Sequence, residues 1–161
     1  MLFRSLLQPV KAAPYFAHAQ FSDPASVLAL ADPGADFPYI RAAWRYARGI
    51  AQVRRGDAAG ATAELAEIER ITKGTDFKPF ESWNIPAKDV TVIAAHVVRA
   101  RMAQAKNDLD GALRELEAAV MLQDKLPYME PPYWYYSVRQ TLGAVLELRS
   151  EERRVGKECR L

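Results

Sequence analysis

An internal repeat is the feature that most constrains what this chain can fold into. When Asp57 is aligned with Asp108, 51 residues further on, the two segments share the pattern R-[GA]-x6-[GN]-D-x2-GA-x3-L. Self-similarity at a fixed period is typical of proteins that stack copies of one small unit. In each copy, a residue that tolerates positive φ precedes an aspartate that can cap a helix. The repeat therefore predicts two helical hairpins with the same turn.

Apolar residues recur at helical spacing along most of the chain, and no segment of useful length alternates as a strand would. Alanine is abundant, which favours helix by propensity. A connection carrying Phe77, Phe80 and Trp83 is expected to fold back onto the core. Seven helices are predicted, at about 2–20, 23–30, 36–55, 57–73, 84–106, 108–126 and 133–148.

The repeated pattern resembles the tetratricopeptide repeat (TPR). That family has a small residue late in its first helix, a Gly-Asp-type turn, and an alanine followed by a large apolar residue on its second helix. The resemblance implies an all-α fold of antiparallel helix pairs forming a short right-handed solenoid. The spacings of 51 and 43 residues between units exceed the usual ~34. The units are expected at about 14–30, 36–73, 86–125 and, incomplete, 132–148 within a domain spanning 1–148.

The C-terminal part of the chain carries two further signals. The stretch 128–143 resembles a group of bacterial TPR proteins with the motif Tyr-Met-Glu-Pro-Pro-Tyr-Trp-Tyr-Tyr. From Arg149 to Leu161 the composition changes abruptly to charged residues, and this tail resembles vector read-through. We expect a fragment whose biological sequence stops near Leu148, followed by a disordered or foreign tail. The helix at 133–148 would then lack its hairpin partner. It would promote self-association through an unsatisfied apolar face formed by Tyr135, Val138, Leu142, Val145 and Leu146.

Charge and cysteine content exclude several classes of function. The chain has 22 basic and 20 acidic residues, and the excess lies in the tail, so that 1–148 is neutral. A neutral body predicts no binding of nucleic acid or of an anionic membrane. The single cysteine, Cys159, allows no intrachain disulfide. No apolar run approaches the ~18 residues of a membrane span, and no export signal is recognisable, which favours a cytoplasmic location.

The titratable residues do not form a pattern typical of catalysis or metal binding. The two histidines, His18 and His96, lack the spacing of metal ligands, and there is no phosphate-binding glycine loop. Glu64, Glu67 and Glu69 are interpreted as a solvated helix face paired with neighbouring arginine. We therefore expect no enzyme activity, no metal and no cofactor.

Basic residues on the predicted first helices form a candidate binding site. Arg41, Arg45 and Arg48 share one helix face, and Arg99 is the repeat equivalent of Arg48. Arg139 and His96 align with Arg45. The TPR resemblance implies that first helices line a concave groove, where these side chains could hold a carboxylate of an acidic peptide segment or of a peptide C-terminus. The alternative is an ordinary solvated face paired with neighbouring acids.

The aromatic run 133–136 also has two interpretations. Trp134 and Tyr135 could form a ligand platform, because Tyr and Trp are favoured where proteins bind one another. They could equally pack the Pro-rich link against the body, with at least one of the four rings exposed.

These patterns favour a scaffold or adaptor module that binds a protein or peptide without catalysis. Two alternatives remain open at this point. The chain could be a piece of a larger enzyme or metal-handling protein whose reactive residues lie elsewhere, or a structural oligomerisation module.

Overall fold

A computed structural model describes the backbone of residues 7–158 and the side chains of residues 7–151. Within that part of the chain there are eight α-helices and no strand, which confirms the all-α prediction. The helices are α1 (Gln8–Phe21), α2 (Pro24–Leu28), α3 (Pro38–Arg54), α4 (Ala58–Gly74), α5 (Lys78–Glu81), α6 (Ala87–Ala105), α7 (Leu109–Gln123) and α8 (Val138–Glu158).

The turns between α3 and α4 and between α6 and α7 have the predicted chemistry. Gly56 and Asn107 both adopt positive φ, of 77° and 59°. The aspartate that follows each of them caps the next helix by accepting a hydrogen bond from the amide of a glycine. Asp57 accepts it from Gly60 at 2.8 Å, and Asp108 accepts it from Gly111 at 2.7 Å.

Gly60 and Gly111, which the two repeats share, are required for a steric reason that the sequence pattern alone does not show. A Cβ atom added at Gly60 or Gly111 would overlap the carboxylate of the aspartate that caps the same helix. The spacing D-x2-G therefore keeps space for the capping carboxylate in both hairpins.

Small residues let the helices of the core approach one another closely. Ala61 of α4 and Ala112 of α7 are fully buried where each helix packs against its hairpin partner. Gly49 of α3 faces α6, and a Cβ there would lie 3.3 Å from both methyl carbons of Val98. Helix α3 packs against α1, α2, α4 and α6, so it lies at the centre of the domain.

Side chains from other helices cap the start of α3 and of α8. Gln8 of α1 is buried, and its Oε1 accepts a hydrogen bond at 3.1 Å from the amide of Tyr39 in the first turn of α3. The Oε1 of Gln123 in α7 accepts one at 2.9 Å from the amide of Val138 at the start of α8. Both contacts satisfy donors that helix geometry leaves unpaired.

The segment between α4 and α6 folds back as predicted, but not with all three aromatic rings. Phe77 and Phe80 are buried, whereas Trp83 remains 43% exposed. The short helix α5 within this segment was not predicted, because four residues are too few to show a helical period.

The last helix differs from its prediction at both ends. It begins at Val138 and not at Tyr133, and it continues to Glu158 and not to Leu148. The backbone of 149–158 is thus helical where a disordered or foreign tail was expected, while 159–161 lie outside the described residues. Arg149 forms an ion pair with Asp110 of α7 at 2.6 Å.

The apolar face of α8 is partly buried and partly exposed to solvent. Val138 and Val145 are buried, because α8 packs against α7. The expectation that both valines belong to an unsatisfied face is wrong. Leu146 and Leu148 remain 46% and 49% exposed.

We expect Asp108→Ala to lower the free energy of unfolding by about 1 kcal/mol, because the substitution removes the cap of α7. Urea denaturation followed by circular dichroism would measure this change. Asp108→Asn is the matched control, since it keeps an oxygen acceptor at the same position. An equal loss in both variants would contradict a capping role.

Candidate functional site

The three arginines predicted on α3 lie on the face that is turned towards α2 and α4. Arg41 pairs with Asp32 at 2.9 Å. Arg45 and Arg48 both bind Glu64 of α4, through Nη1 at 2.8 Å and through Nε at 2.7 Å. Each guanidinium therefore already has a carboxylate partner within the protein.

The ring of Trp44 contacts the guanidinium groups of Arg45 and Arg48. The guanidinium carbons of Arg45 and Arg48 lie 4.5 Å and 4.8 Å from the centre of its ring, within cation–π range. Trp44 Nε1 donates to the carbonyl of Leu30 at 3.0 Å, and Arg48 Nη1 donates to the carbonyl of Leu28 at 2.9 Å. The cluster thus joins α2, α3 and α4.

The interpretation of Glu64 as a solvated residue is wrong. Glu64 is 4% exposed, and its carboxylate lies between the two arginines of α3. The interpretation holds better for Glu67, which pairs with Arg70 at 2.9 Å. A side-chain hydrogen bond from Arg70 holds the pKa of Glu67 below its usual value.

The candidate residues on α6 and α8 are also paired. Arg99 contacts Glu69 of α4 and lies 3.5 Å from Glu115 of α7. His96 Nδ1 lies 2.7 Å from an oxygen of the same Glu115. Arg139 of α8 pairs with Asp124, near the end of α7. These contacts bind neighbouring helices together, and in each of them the basic residue is paired with an acid.

The aromatic run divides into two buried and two partly exposed rings. Tyr133 and Trp134 are 7% and 5% exposed, while Tyr135 and Tyr136 are 39% and 42% exposed. Trp134 lies edge-on against Phe16 of α1 and Tyr46 of α3, each at 5.2 Å between ring centres. The ring of Tyr135 stacks on Phe16 at 5.8 Å. Trp134 therefore packs the link against the body.

An open cavity of about 760 Å³ lies elsewhere, between α1, α3, α6 and α8. We call this cavity the groove. Its walls combine apolar side chains with polar, basic and acidic ones. The residues lining it are Ala19, Gln20, Tyr46, Ile50, Val53, Arg54, Arg101, Gln104, Ala105, Asn107, Leu109, Leu148 and Glu151.

Two arginines of the groove lack carboxylate partners in the described part of the chain. Arg54 Nη1 donates to the carbonyl of Ser22 at 2.7 Å. Arg101 Nη1 donates to Gln104 Oε1 at 3.0 Å. Burial raises the pKa of Tyr46 to about 12, and the positive charge of Arg101 partly opposes that rise. The groove thus offers two arginines and one glutamate, Glu151, beside an apolar surface.

The predicted arginine stripe and the groove lie on different sides of the same helices. At about 100° per residue, Tyr46, Ile50 and Arg54 fall on a face of α3 roughly opposite Arg45 and Arg48. The stripe therefore does not line this cavity. The sequence contained a signal for the groove residues, because Tyr46, Ile50 and Arg54 are themselves spaced by four residues.

We expect Glu64→Ala to lower the free energy of unfolding by about 2–3 kcal/mol, because it leaves two partly buried arginines without their shared partner. Glu117→Ala removes an exposed glutamate of α7 and is the matched control. Chemical denaturation of both variants would measure the difference. Ordinary surface substitutions change the free energy of unfolding by about ±0.5 kcal/mol. A change within that range for Glu64→Ala as well as for Glu117→Ala would show that the ion pairs of Glu64 do not stabilise the fold.

We expect the folded state to lose stability between about pH 10 and pH 12. Burial raises the pKa of Tyr39 and Tyr46 above the ordinary value of 10.0, the latter to about 12. The unfolded chain ionises first, so the stabilisation is complete below pH 10 and is lost as the pH rises through the folded-state pKa.

Urea midpoints measured across this window would test the expectation. Tyr46→Phe should make the decline shallower, and Tyr136→Phe, at a partly exposed ring, is its control. A midpoint that stays constant from pH 9 to pH 12 would contradict the role of the buried tyrosines.

Three further findings concern membrane spans, metal sites and related proteins. Among the described residues, no helix has the length and apolar character needed to cross a membrane. The same residues contain no group of three or more His, Cys, Asp or Glu side chains arranged to hold a metal ion. Comparison with family models, with curated proteins and with solved structures gives no match.

Proposed function

We propose that this chain is a non-catalytic binding module, a short TPR-like right-handed solenoid whose groove holds an acidic segment of a protein or peptide. The observation that carries the proposal is the pair Arg54 and Arg101, which face an open groove without a carboxylate partner in the described part of the chain. Guanidinium groups form strong charge-assisted hydrogen bonds with carboxylates.

The remaining walls of the groove suit a peptide better than a reaction. Tyr46, Ile50 and Leu148 supply apolar surface on which a neighbouring side chain could pack. The described residues that line the groove include Tyr46 and Glu151 as titratable acids, and no histidine, cysteine or serine lies beside them. Binding is therefore better supported than catalysis.

The solenoid part of the proposal is supported by the two matched hairpins. Each has the same turn, the same aspartate cap and the same buried alanine, at Ala61 and Ala112. The first helices α3 and α6 pack against each other, as do α4 and α6. Such repeated neighbour contacts are typical of stacked helical repeats.

Selection from a display library of random dodecapeptides on the immobilised full chain would test the proposal. We expect enrichment of Asp or Glu beside a large apolar residue. For a selected peptide, Arg101→Glu should weaken binding at least tenfold in fluorescence anisotropy, because a charge-assisted hydrogen bond contributes about 1.5–3 kcal/mol.

Arg114→Glu makes the same charge change at an exposed site on α7 and should alter affinity less than twofold. Binding should also weaken as salt is added, since the contact is electrostatic. Equal losses in the two variants, or selected peptides without acidic residues, would count against the groove. Failure to select any peptide would count against the binding function itself.

A further inference from the structure

Helix α8 has one side that packs against the body and an opposite side that is exposed. Val138, Thr141 and Val145 are buried, and α8 packs against α7. At about 100° per residue, Gly143 lies roughly opposite these three positions. The residues within about 60° of Gly143 around the helix axis are all exposed, and they are Arg139, Gln140, Leu146, Glu147 and Ser150. We call Gly143 and these five residues the outer face of α8.

The position of Gly143 is buried in the two preceding repeat units. Gly49 in α3 and Ala100 in α6 are its equivalents. Gly49 packs against α6 and α4, since a Cβ there would lie 3.3 Å from Val98 and 3.7 Å from Glu64. Ala100 is fully buried. Gly143 is exposed, and a Cβ added to it would meet no described atom within 4 Å. The outer face thus continues a helix contact of the earlier units but is itself uncovered.

Charged residues of opposite sign flank Gly143 symmetrically. Arg139 lies four residues before it and Glu147 four residues after it, so all three share one side of the helix. Arg139 contacts Asp124 through Nη2, and the two side chains are 62% and 49% exposed. Its guanidinium has further N–H donors, which leaves it able to bind a second carboxylate.

We propose that the outer face of α8 binds the outer face of a second copy of this chain, with the two helices antiparallel and crossing at Gly143. In a two-fold interface, residue i contacts residue j of the other copy and j contacts i. A two-fold axis at Gly143 therefore places Arg139 of each copy beside Glu147 of the other. Parallel helices would instead place arginine on arginine and glutamate on glutamate, which is unfavourable.

The residues nearest the crossing suit a close contact. Gly143 has no side chain, so the two backbones can approach each other closely. Gln140 and Leu146 lie three residues to either side of it, so the same symmetry brings the methylene groups of one against the isobutyl group of the other. Leu148 and Glu151, which line the groove, lie outside the outer face. The dimer therefore does not depend on what the groove binds.

The outer face is short, so the expected dimer is weak. From Arg139 to Ser150 the helix rises about 16 Å, at ~1.5 Å per residue. A contact along so short a stretch of one helix belongs with interfaces below about 1,200 Å², which form weak, transient complexes.

Sedimentation equilibrium of the full chain over a range of concentrations would test the proposal. The weight-average mass should rise from that of one chain towards twice that value between about 10 μM and about 1 mM protein, the range of a weak interface. Reducing conditions prevent a disulfide between the Cys159 residues of two chains.

Charge reversals test the pairing itself. Arg139→Glu and Glu147→Arg should each weaken self-association at least tenfold, because each places like charges together at both symmetric contacts. An equimolar mixture of the two variants should restore it, since every contact then joins a glutamate to an arginine. Glu81→Arg makes the same charge change on α5, away from α8, and should alter self-association less than twofold.

Thermal melts followed by circular dichroism show whether each variant is folded. If a charge reversal does not fold, Arg139→Gln and Glu147→Gln replace it, and each should weaken self-association by removing the ion pairs.

Three results would overturn the proposal. One is the mass of a single chain at every concentration. Another is self-association that both folded variants retain, because the contact then lies on a different surface. The third is a loss in both variants that mixing does not restore, because the helices are then not paired in the antiparallel arrangement.

Discussion

The close approach of helices at alanine and glycine positions is the constraint on which the rest of the structure depends. Ala61 and Ala112 are fully buried at the hairpin contacts, and Gly49 allows α3 to lie against Val98 of α6. Extra methylene groups at such contacts typically cost about 1–3 kcal/mol. A wider separation would also move Glu64 away from the arginines of α3, so the ionic contacts depend on the small residues.

Close packing on several sides gives α3 distinct faces with different roles. The face turned towards α2 and α4 carries arginines whose charges are used inside the protein, on Asp32 and Glu64. Another face carries Tyr46 and Arg54, which border the groove. Arginine content alone therefore says little about where a ligand could bind. What matters is whether each guanidinium already has a carboxylate partner within the protein. Where it has one, an incoming anion must displace that partner before it can bind.

Local features of the sequence predicted the local structure well. The positive φ of Gly56 and Asn107 and the caps at Asp57 and Asp108 depend on only a few neighbouring residues, so the pattern was sufficient. The start of α8 was missed for the opposite reason. Its first turn is capped by Gln123, fifteen residues earlier in the chain, and the aromatic residues before it pack against other helices.

By itself, the sequence determined the all-helical class, the two hairpins and their turns, because periodicity, propensity and capping act over short distances. Only the tertiary structure decided which charged side chains pair with an opposite charge inside the protein and which of them border the groove. Glu64 looked like a surface residue until α3 and α4 came together, and Arg54 and Arg101 became neighbours of one groove only when α3 packed against α6. The burial and pairing of a charged side chain depend on residues that are far away in the sequence. A local sequence pattern does not show which of those residues will become its neighbours.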